Sequence, residues 1–428
     1  MNGPRLRRAA KAIEGLFRQR LRNPLLARLN GWRFRALPTV MVTGTCGKTT
    51  TSRLTASVLA AAGHKVGLAT TDGVLVDGEI VATGDLAGVD GHRLTLSDRR
   101  VTAGVLETAR GSLALKGLYL HRVNAAALIN VGSDHLGFDG VDTVDAMARL
   151  KARVTDAARD AVVLNADDPR CLALATRYGT AKTILFAGRA DHPALIAHVA
   201  AGGRAIAADG GMMRFYRSQG APVDLVALDE VPVTRGGRAA PYVADAMAAA
   251  GLAIALGVPG EAIAAGLKGF AGGLAQNPGR FTAYPGLPFT LIADHAKNAL
   301  GLRATLPLLD HFGATGRRIV AMTAAGNRAD AQYAEVAAAV AGHFDRYIVY
   351  ETEYYRRGRA AGEITAHLSH GLREAGVSAD AIEVISGTAE AFSAAAAMAR
   401  PGDLVLLLAK FPRDRATIAS AFGLAEDA

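Results

Sequence analysis

Cysteine is nearly absent: the 428 residues hold two, Cys46 and Cys171. Two cannot build a disulfide framework, so a reducing, cytoplasmic setting is expected. Aromatic residues amount to 6% and there is one tryptophan, whereas half the residues are hydrophobic and glycine numbers 48. That balance argues against an all-β protein and suits helices packed closely on parallel sheets. No run of 18 apolar residues occurs, so no segment reads as a transmembrane helix. Acidic residues are missing from the first 35 positions apart from Glu14, against ten Lys and Arg. The net charge of +9 therefore belongs to that segment, and the remaining chain carries 38 charges of each sign. Its basic character describes a tail, and no nucleic-acid partner is expected of the body.

No serine precedes Ser52, which speaks against an organelle transit peptide, and arginines interrupt every apolar run, which speaks against a signal peptide. Leu6, Ala10, Ile13, Phe17 and Leu21 recur at helical spacing. Residues 1–38 are expected to form a short basic amphipathic helix. It packs on the body with a solvated basic face or, in the alternative, docks residues 1–35 on a membrane surface or a protein partner.

The rest of the chain alternates. A β-rich run, Thr39–Thr43, enters a glycine turn, and residues 52–62 follow with a helical pattern. Apolar strands are expected at 105–106, 125–131 and 161–164, with helical stretches between. Residues of about 190–235 contain glycine clusters and read as a small subdomain. Asn277-Pro278-Gly279 marks a boundary. Beyond it five apolar runs, 289–293, 319–322, 347–350, 382–385 and 404–408, alternate with helical patterns. The expected fold is α/β, with a mostly parallel sheet in a central domain over 39–277 and a Rossmann-like domain over 278–428.

Between the first strand and the first long helix stands Thr43-Gly44-Thr45-Cys46-Gly47-Lys48-Thr49-Thr50. Backbone amides of such a loop point at phosphate oxygens, and the helix N-terminus adds positive potential. Lys48 is placed to reach the β/γ-phosphates and Thr49 to ligate Mg²⁺. A strict Walker pattern would have glycine where Val42 stands. A tight turn without phosphate chemistry explains Gly44 and Gly47, but not a lysine where a cation opposes the helix dipole.

The form Thr-Gly-Thr-x-Gly-Lys-Thr-Thr resembles that of the Mur ligases. Further segments resemble the C-terminal, ligase half of the cyanophycin synthetases. They are Thr70–Gly73, Leu106–Ser112, Asn130–Gly137, Val163–Pro169, Gly202–Ala205, Asn277–Phe281 and Arg357–Glu363, in family order. An ATP-grasp half is not found in this chain, and 38 residues are too few for the domain that binds a murein nucleotide-sugar. The resemblance implies ATP and two Mg²⁺ ions. Gly44, Thr45, Gly47, Lys48, Thr49 and Thr50 would hold the phosphates. Asp245, Arg280 and Asp294 would hold the remainder of the nucleotide. Glu107, at the end of an apolar strand, joins Thr49 on one metal, and His135 ligates the second. Lys151 falls where several Mur ligases carry a carbamylated lysine. Gly326, Arg328, Arg357, Arg359 and Glu363 would line the side of the incoming amine.

Departures accompany these matches. Cys46 stands for the usual Asn, and Asp245 for an Asn that reads adenine. Lys297 and Ala299 stand for His and Pro, and Tyr354 and Tyr355 for acids. The function implied is ATP-dependent amide-bond formation between an activated carboxylate and an amino acid or amine. A basic or diaminated amine is expected, although the two tyrosines weaken the case for arginine, whose guanidinium needs carboxylate partners. The alternative is a nucleotide-binding subunit with little ligase activity, serving a separate ATP-grasp protein. An oligomer is compatible with either.

Overall fold

A computed structural model describes residues 23–425. The periodic positions Leu6, Ala10, Ile13, Phe17 and Leu21 lie outside the described residues. The chain divides into two compact units, and the division follows packing rather than chain order. One unit takes residues up to Val131, Val144–Gly237 and Tyr242–Phe270; the other takes Gly132–Thr143, Arg238–Pro241 and Ala271 onward. The segment carrying His135 thus belongs to the second unit, although it lies within the expected central domain.

The loop unit is built on eleven strands: β1 Thr39–Thr43, β2 Val66–Ala69, β3 Gly73–Val76, β4 Glu79–Thr83, β5 Ala103–Glu107, β6 Val123–Leu128, β7 Ala158–Asn165, β8 Thr183–Ala187, β9 Arg204–Asp209, β10 Met212–Arg217 and β11 Val223–Ala227. They form one sheet in the order β11-β10-β9-β8-β7-β6-β1-β5-β2-β3-β4. The seven strands from β9 to β2 run parallel, and an antiparallel pair extends each edge. Residues 190–235 are therefore no separate subdomain; β9–β11 continue the main sheet. The central strands are continuous apolar runs because helices cover both faces. In β1 every residue is buried, each such valine contributing about 1.5–3 kcal/mol.

Small residues set how closely the covering helices approach. A Cβ on Gly266, in the helix Gly260–Lys268, would meet the Val58 Cα at 2.3 Å. Val58 lies in the helix Lys48–Ala61, and Ser57 Oγ donates to the Gly266 carbonyl at 2.7 Å. The abundance of Gly and Ala thus places the loop's helix backbone-to-backbone against its neighbour.

The second unit carries β12 Thr282–Tyr284, β13 Thr290–Asp294, β14 Arg318–Met322, β15 Arg346–Glu351, β16 Ile382–Ser386 and β17 Leu404–Leu408. Their order is β12-β13-β17-β14-β15-β16. All neighbours are parallel except β12 with β13. Ile319, Ile348, Tyr350, Phe392, Leu407 and Phe411 belong to its core.

Candidate active site

In the loop unit, chemistry gathers at the carboxyl ends of β1 and β5, where ligands of open parallel sheets bind. After β1 the chain turns through Gly44–Gly47 into the helix Lys48–Ala61. Gly47 has φ +79°, and a Cβ there would stand 2.2 Å from Asp245 Oδ1, so both backbone conformation and space demand glycine. Asn130, just beyond β6, grips the loop: its Oδ1 accepts from the amides of Thr45 and Cys46 at 2.8 and 2.9 Å, and its Nδ2 donates to the Cys46 carbonyl at 3.2 Å. The buried Lys151 Nζ donates to the Gly44 carbonyl at 2.7 Å, and Lys48 Nζ to the Thr45 carbonyl at 3.0 Å. A helix starting behind so fixed a loop offers amide donors and a positive end to phosphate.

Parallel pairing sets Val42 of β1 opposite Glu107 of β5, which brings Glu107 to the start of the helix. Thr49 Oγ1 donates to Glu107 Oε2 at 2.9 Å. The Thr71 amide donates to the same oxygen at 3.1 Å and its hydroxyl to Oε1 at 2.8 Å. Glu107 is fully buried and has no salt bridge among the described residues. A buried carboxylate met by neutral donors alone is costly unless a cation completes it. Thr49 and Glu107 supply hard oxygens to one point, which fits Mg²⁺. No group of three or more His, Cys, Asp or Glu able to hold a metal occurs among the described residues.

Two further buried groups frame this point. Burial lowers the pKa of His92 to about 4, so its ring is neutral, and Nε2–H donates to the Glu107 carbonyl at 2.8 Å. Asp245, in the helix Ala240–Ala255, lies beneath the loop and accepts from Thr51 Oγ1 at 3.0 Å. Burial pushes its pKa up to about 8, against the pull of Thr51 and Lys48.

The remaining expected residues belong to the second unit. Arg280 follows the buried Asn277 in the turn before β12, and its Nη1 donates to the Pro278 and Gly279 carbonyls at 3.4 and 3.3 Å. Asp294 ends β13. Burial raises its pKa to about 6, although the Ala296 amide and the charge of Arg280 oppose the shift. His135 adopts φ +62°, with Nδ1 3.4 Å from the Asn327 carbonyl and Nε2 3.7 Å from Asp134 Oδ2. Asp134 receives Arg328 Nε and Nη2 at 3.1 and 2.9 Å and Asn298 Nδ2 at 3.0 Å. Burial acts to raise its pKa, but Arg328, His135 and these hydrogen bonds hold it at about 2. Arg359 and Glu363 pair with each other. Arg359 also donates to the Arg328 carbonyl at 2.7 Å and Asp330 at 2.6 Å, so the two tie the 326–330 loop to the helix Glu363–Glu374. Gly326 is required there, because a Cβ would collide with the Arg356 carbonyl oxygen at 1.7 Å.

Beside them stands a cationic cluster on two tyrosines. The buried Lys297 Nζ donates to Tyr355 Oη at 2.6 Å and lies 4.0 Å from that ring's centroid. Burial holds the Lys297 amine well below the usual lysine range. Lys410 Nζ donates to Tyr354 Oη at 2.5 Å, and the Arg413 guanidinium lies 4.3 Å from the Tyr354 ring. Arg357 donates to Asn327 Oδ1 at 2.9 Å. Arg328 Nη1 is buried with no hydrogen-bond partner. The Asp414 carboxylate interacts electrostatically with Lys297, Arg413 and Lys410, although burial raises its pKa.

Comparison with known proteins accounts for both units. A family model described as the Mur ligase middle domain matches residues 42–219, and one described as the Mur ligase glutamate ligase domain matches 279–411. A UDP-N-acetylmuramoyl-L-alanyl-D-glutamate–2,6-diaminopimelate ligase of Corynebacterium efficiens is 31% identical over 88% of this chain and 69% of its own length. The chain belongs to the Mur ligase family. Cyanophycin synthetase of Trichormus variabilis is 32% identical over 87% of this chain, which spans 41% of that relative. Among solved structures, a bifunctional folylpolyglutamate synthase/dihydrofolate synthase with Mn, AMPPNP and L-glutamate bound shares the fold. Its TM-score is 0.62 at 20% identity, covering 92% of this chain and 91% of that one.

Within this Mur ligase chain, sequence reasoning passes over several residues that the structure brings forward. Asn130 and Thr71 stand inside segments that carry the family resemblance, but their contacts with the loop and with Glu107 depend on strand order. Lys410 and Arg413 carry no motif signal and reach Tyr354 from more than fifty positions away. His92 gives no signal at all in a single sequence.

Proposed function

We propose that the chain is an ADP-forming acid–amino-acid ligase that activates a carboxylate as an acyl phosphate and joins it to an amine, in the cytoplasm. The observation that carries this reading is the buried Glu107 carboxylate hydrogen-bonded to the Thr49 hydroxyl at the phosphate loop. Thr49 and Glu107 would hold Mg²⁺, which neutralises phosphate charge when bound; a second ion is assigned to His135. Lys48 would stabilise charge developing on the transferring phosphoryl group. A carboxylate oxygen of the substrate attacks the γ-phosphorus of ATP, and ADP leaves with the electrons of the broken P–O bond. The amine then attacks the acyl carbon, loses a proton, and inorganic phosphate leaves. Lys151 is proposed to act as a carbamate, which would retain an N–H for the Gly44 carbonyl. A turnover rate indifferent to bicarbonate removal would refute that role.

The cluster around Tyr354 and Tyr355 supports a finer reading of the amine. Arg357, Lys410 and Arg413 make no salt bridge among the described residues, Asp414 is the carboxylate in the field of Lys410 and Arg413, and Arg328 holds a donor without a partner. A guanidinium or second ammonium would be repelled by this surplus, whereas a side-chain carboxylate would complete it. The amine is therefore an acidic amino acid in this reading, rather than the basic one that the resemblance implies. The description of the second family model as a glutamate ligase domain supports the same charge class.

The test is ADP release by the purified chain across a panel of carboxylates and of acidic, neutral and basic amino acids, with hydroxylamine trapping when amine is omitted. Hydroxamate with carboxylate alone, and amide formed once per ADP, are expected. ATP hydrolysis at full rate without any carboxylate, with neither product detected, would leave a nucleotide-binding subunit. Efficient turnover with arginine or lysine would overturn only the acidic-amine reading.

A further inference from the structure

The helix Asn23–Arg33 is fastened to the loop unit by its small residues. Ala27 and Gly31 are buried, the Ala27 carbonyl accepts from the His121 amide at 3.1 Å and its ring Nδ1 at 3.0 Å, and a Cβ on Gly31 would meet that ring nitrogen at 2.4 Å. Asn23 and Asn30 add donations to the Lys116 and Tyr119 carbonyls. The large side chains are left outside. Leu25, Leu29 and Trp32 are 59%, 65% and 69% exposed, and their i, i+4, i+7 spacing makes them one ridge. A surface helix ordinarily turns such a ridge to the core; here it is inverted.

The ridge is bordered by cations. Arg28 and Arg33 flank it on the helix. Where the helix meets the chain entering β6, a cavity of about 390 Å³ is lined by Arg28, Trp32, Phe34, Arg35, Arg122 and Arg159, among others. Arg159 is paired with Asp160 at 2.7 Å. Arg28, Arg35 and Arg122 form no salt bridge among the described residues. The Arg35 guanidinium lies 5.0 Å from the Trp32 ring centroid.

We propose that this face docks on a membrane surface rich in anionic phospholipid. Leu25, Leu29 and Trp32 enter the boundary between headgroups and acyl chains, where tryptophan is favoured, and the arginine-lined cavity takes a lipid phosphate. Charge selects this occupant. A second copy would set arginines against arginines, and residues 1–22 carry seven Lys and Arg against Glu14, the same sign of charge as this face. The three side chains stand out from one helix and line no groove, which suits a fluid surface better than a shaped protein partner. The inference is independent of the ligase reading, because none of these residues touches the phosphate loop or Glu107.

Trp32 is the one tryptophan of the chain and reports on its own ridge. The full chain is mixed with phosphatidylcholine vesicles with and without phosphatidylglycerol, and binding is followed by co-sedimentation and Trp32 emission. Binding and a blue shift are expected with phosphatidylglycerol vesicles, both lost at high salt. Leu25→Ser with Leu29→Ser should lower the partition coefficient about tenfold or more. Arg28→Glu with Arg35→Glu should lower it at least tenfold, at roughly fivefold per arginine near the surface. Unchanged melting temperatures are the folding control for these exposed positions. Equal binding to both vesicle types, or none, overturns the proposal. So does emission already blue-shifted without vesicles, whether from a second copy (concentration-dependent) or from residues 1–22. A response to inorganic phosphate or an acidic polypeptide without one to vesicles overturns it too, as does vesicle binding that ignores the serine substitutions.

Discussion

Glu107 and Asp245 are buried at the phosphate loop without a salt bridge among the described residues, whereas Lys297, Arg357, Lys410 and Arg413 gather around Tyr354 and Tyr355 in the same condition. The first unit thus buries carboxyl groups, Asp245 with its pKa raised by burial, whereas the second gathers amines and guanidiniums around Asp414. Both stand at the carboxyl ends of parallel strands. The difference teaches that the sign of a site need not oppose the sign of its main ligand. In the proposed reading the loop would offer a polyanionic nucleotide amides and one lysine, and its carboxylate would serve the metal that accompanies phosphate. In that reading the second unit would need no such intermediary, and its cations would take a substrate carboxylate directly.

The comparison breaks most sharply at Lys48 and Thr49. Lys48→Ala and Thr49→Ala should each reduce ATP-dependent ADP release by about a thousandfold or more, with melting temperature little changed. Glu107→Gln carries the same test to the carboxylate. It should cost about a hundredfold in turnover while raising stability, because it removes a buried charge that no side chain compensates. A variant that is neither slower nor more stable would mean that Glu107 is satisfied by Thr49 and Thr71 alone.

Next in size come two buried aspartates with opposite pH behaviour. Asp134, held at about 2, stabilises the second unit above the ordinary aspartate pKa, and that contribution is lost as pH falls from about 4 toward 2. Asp245 is raised to about 8, so the folded loop unit binds a proton that the unfolded chain has released. Stability should therefore decline as pH rises from about 4 to 8. Melting curves across that range should show Asp245→Asn flattening the decline toward pH 8. Asp134→Asn should instead lower stability at neutral pH by about 3 kcal/mol, because it leaves Arg328 buried without its counter-charge. The same slope in both variants would show that the two units do not differ in this way.

The smallest expected effect sharpens the amine side. Lys410→Glu should raise the KM for an acidic amine about tenfold, leave the ATP KM near its starting value, and improve turnover with a basic amine. Equal changes in both KM values would place Lys410 outside amine recognition.

Much of this arrangement was legible in the order of residues. Five apolar runs after Asn277 predict β13–β17 to within a residue or two; β13, β14, β15 and β17 are almost wholly buried, as continuous apolar runs imply, whereas β16 is largely exposed. The loop is equally plain, since Lys48 opposes the helix dipole and needs a reason to be there. The β2–β4 extension is not, because its strands are short and glycine-broken. The glycines near 202 and 210 read as a separate subdomain because antiparallel pairing onto an existing sheet leaves no local signature. Tyr354 and Tyr355 are visible as missing acids, but that they stand among cations depends on Lys297 and Lys410, which only folding brings near them. His92 and Asn130 were hidden for the same reason: a lone polar residue becomes legible through its partner.

The Asn130 grip on Thr45 and Cys46 has a kinetic consequence. A phosphate loop that is loose before its ligand arrives must be ordered by binding, and part of the binding energy is lost to that ordering. Here the Asn130 side chain, just beyond β6, already occupies the place of an organiser, so a nucleotide would meet a finished surface. Association should proceed in a single phase at a rate linear in nucleotide concentration. The amide protons of Thr45 and Cys46 should exchange with solvent slowly even before any nucleotide is added.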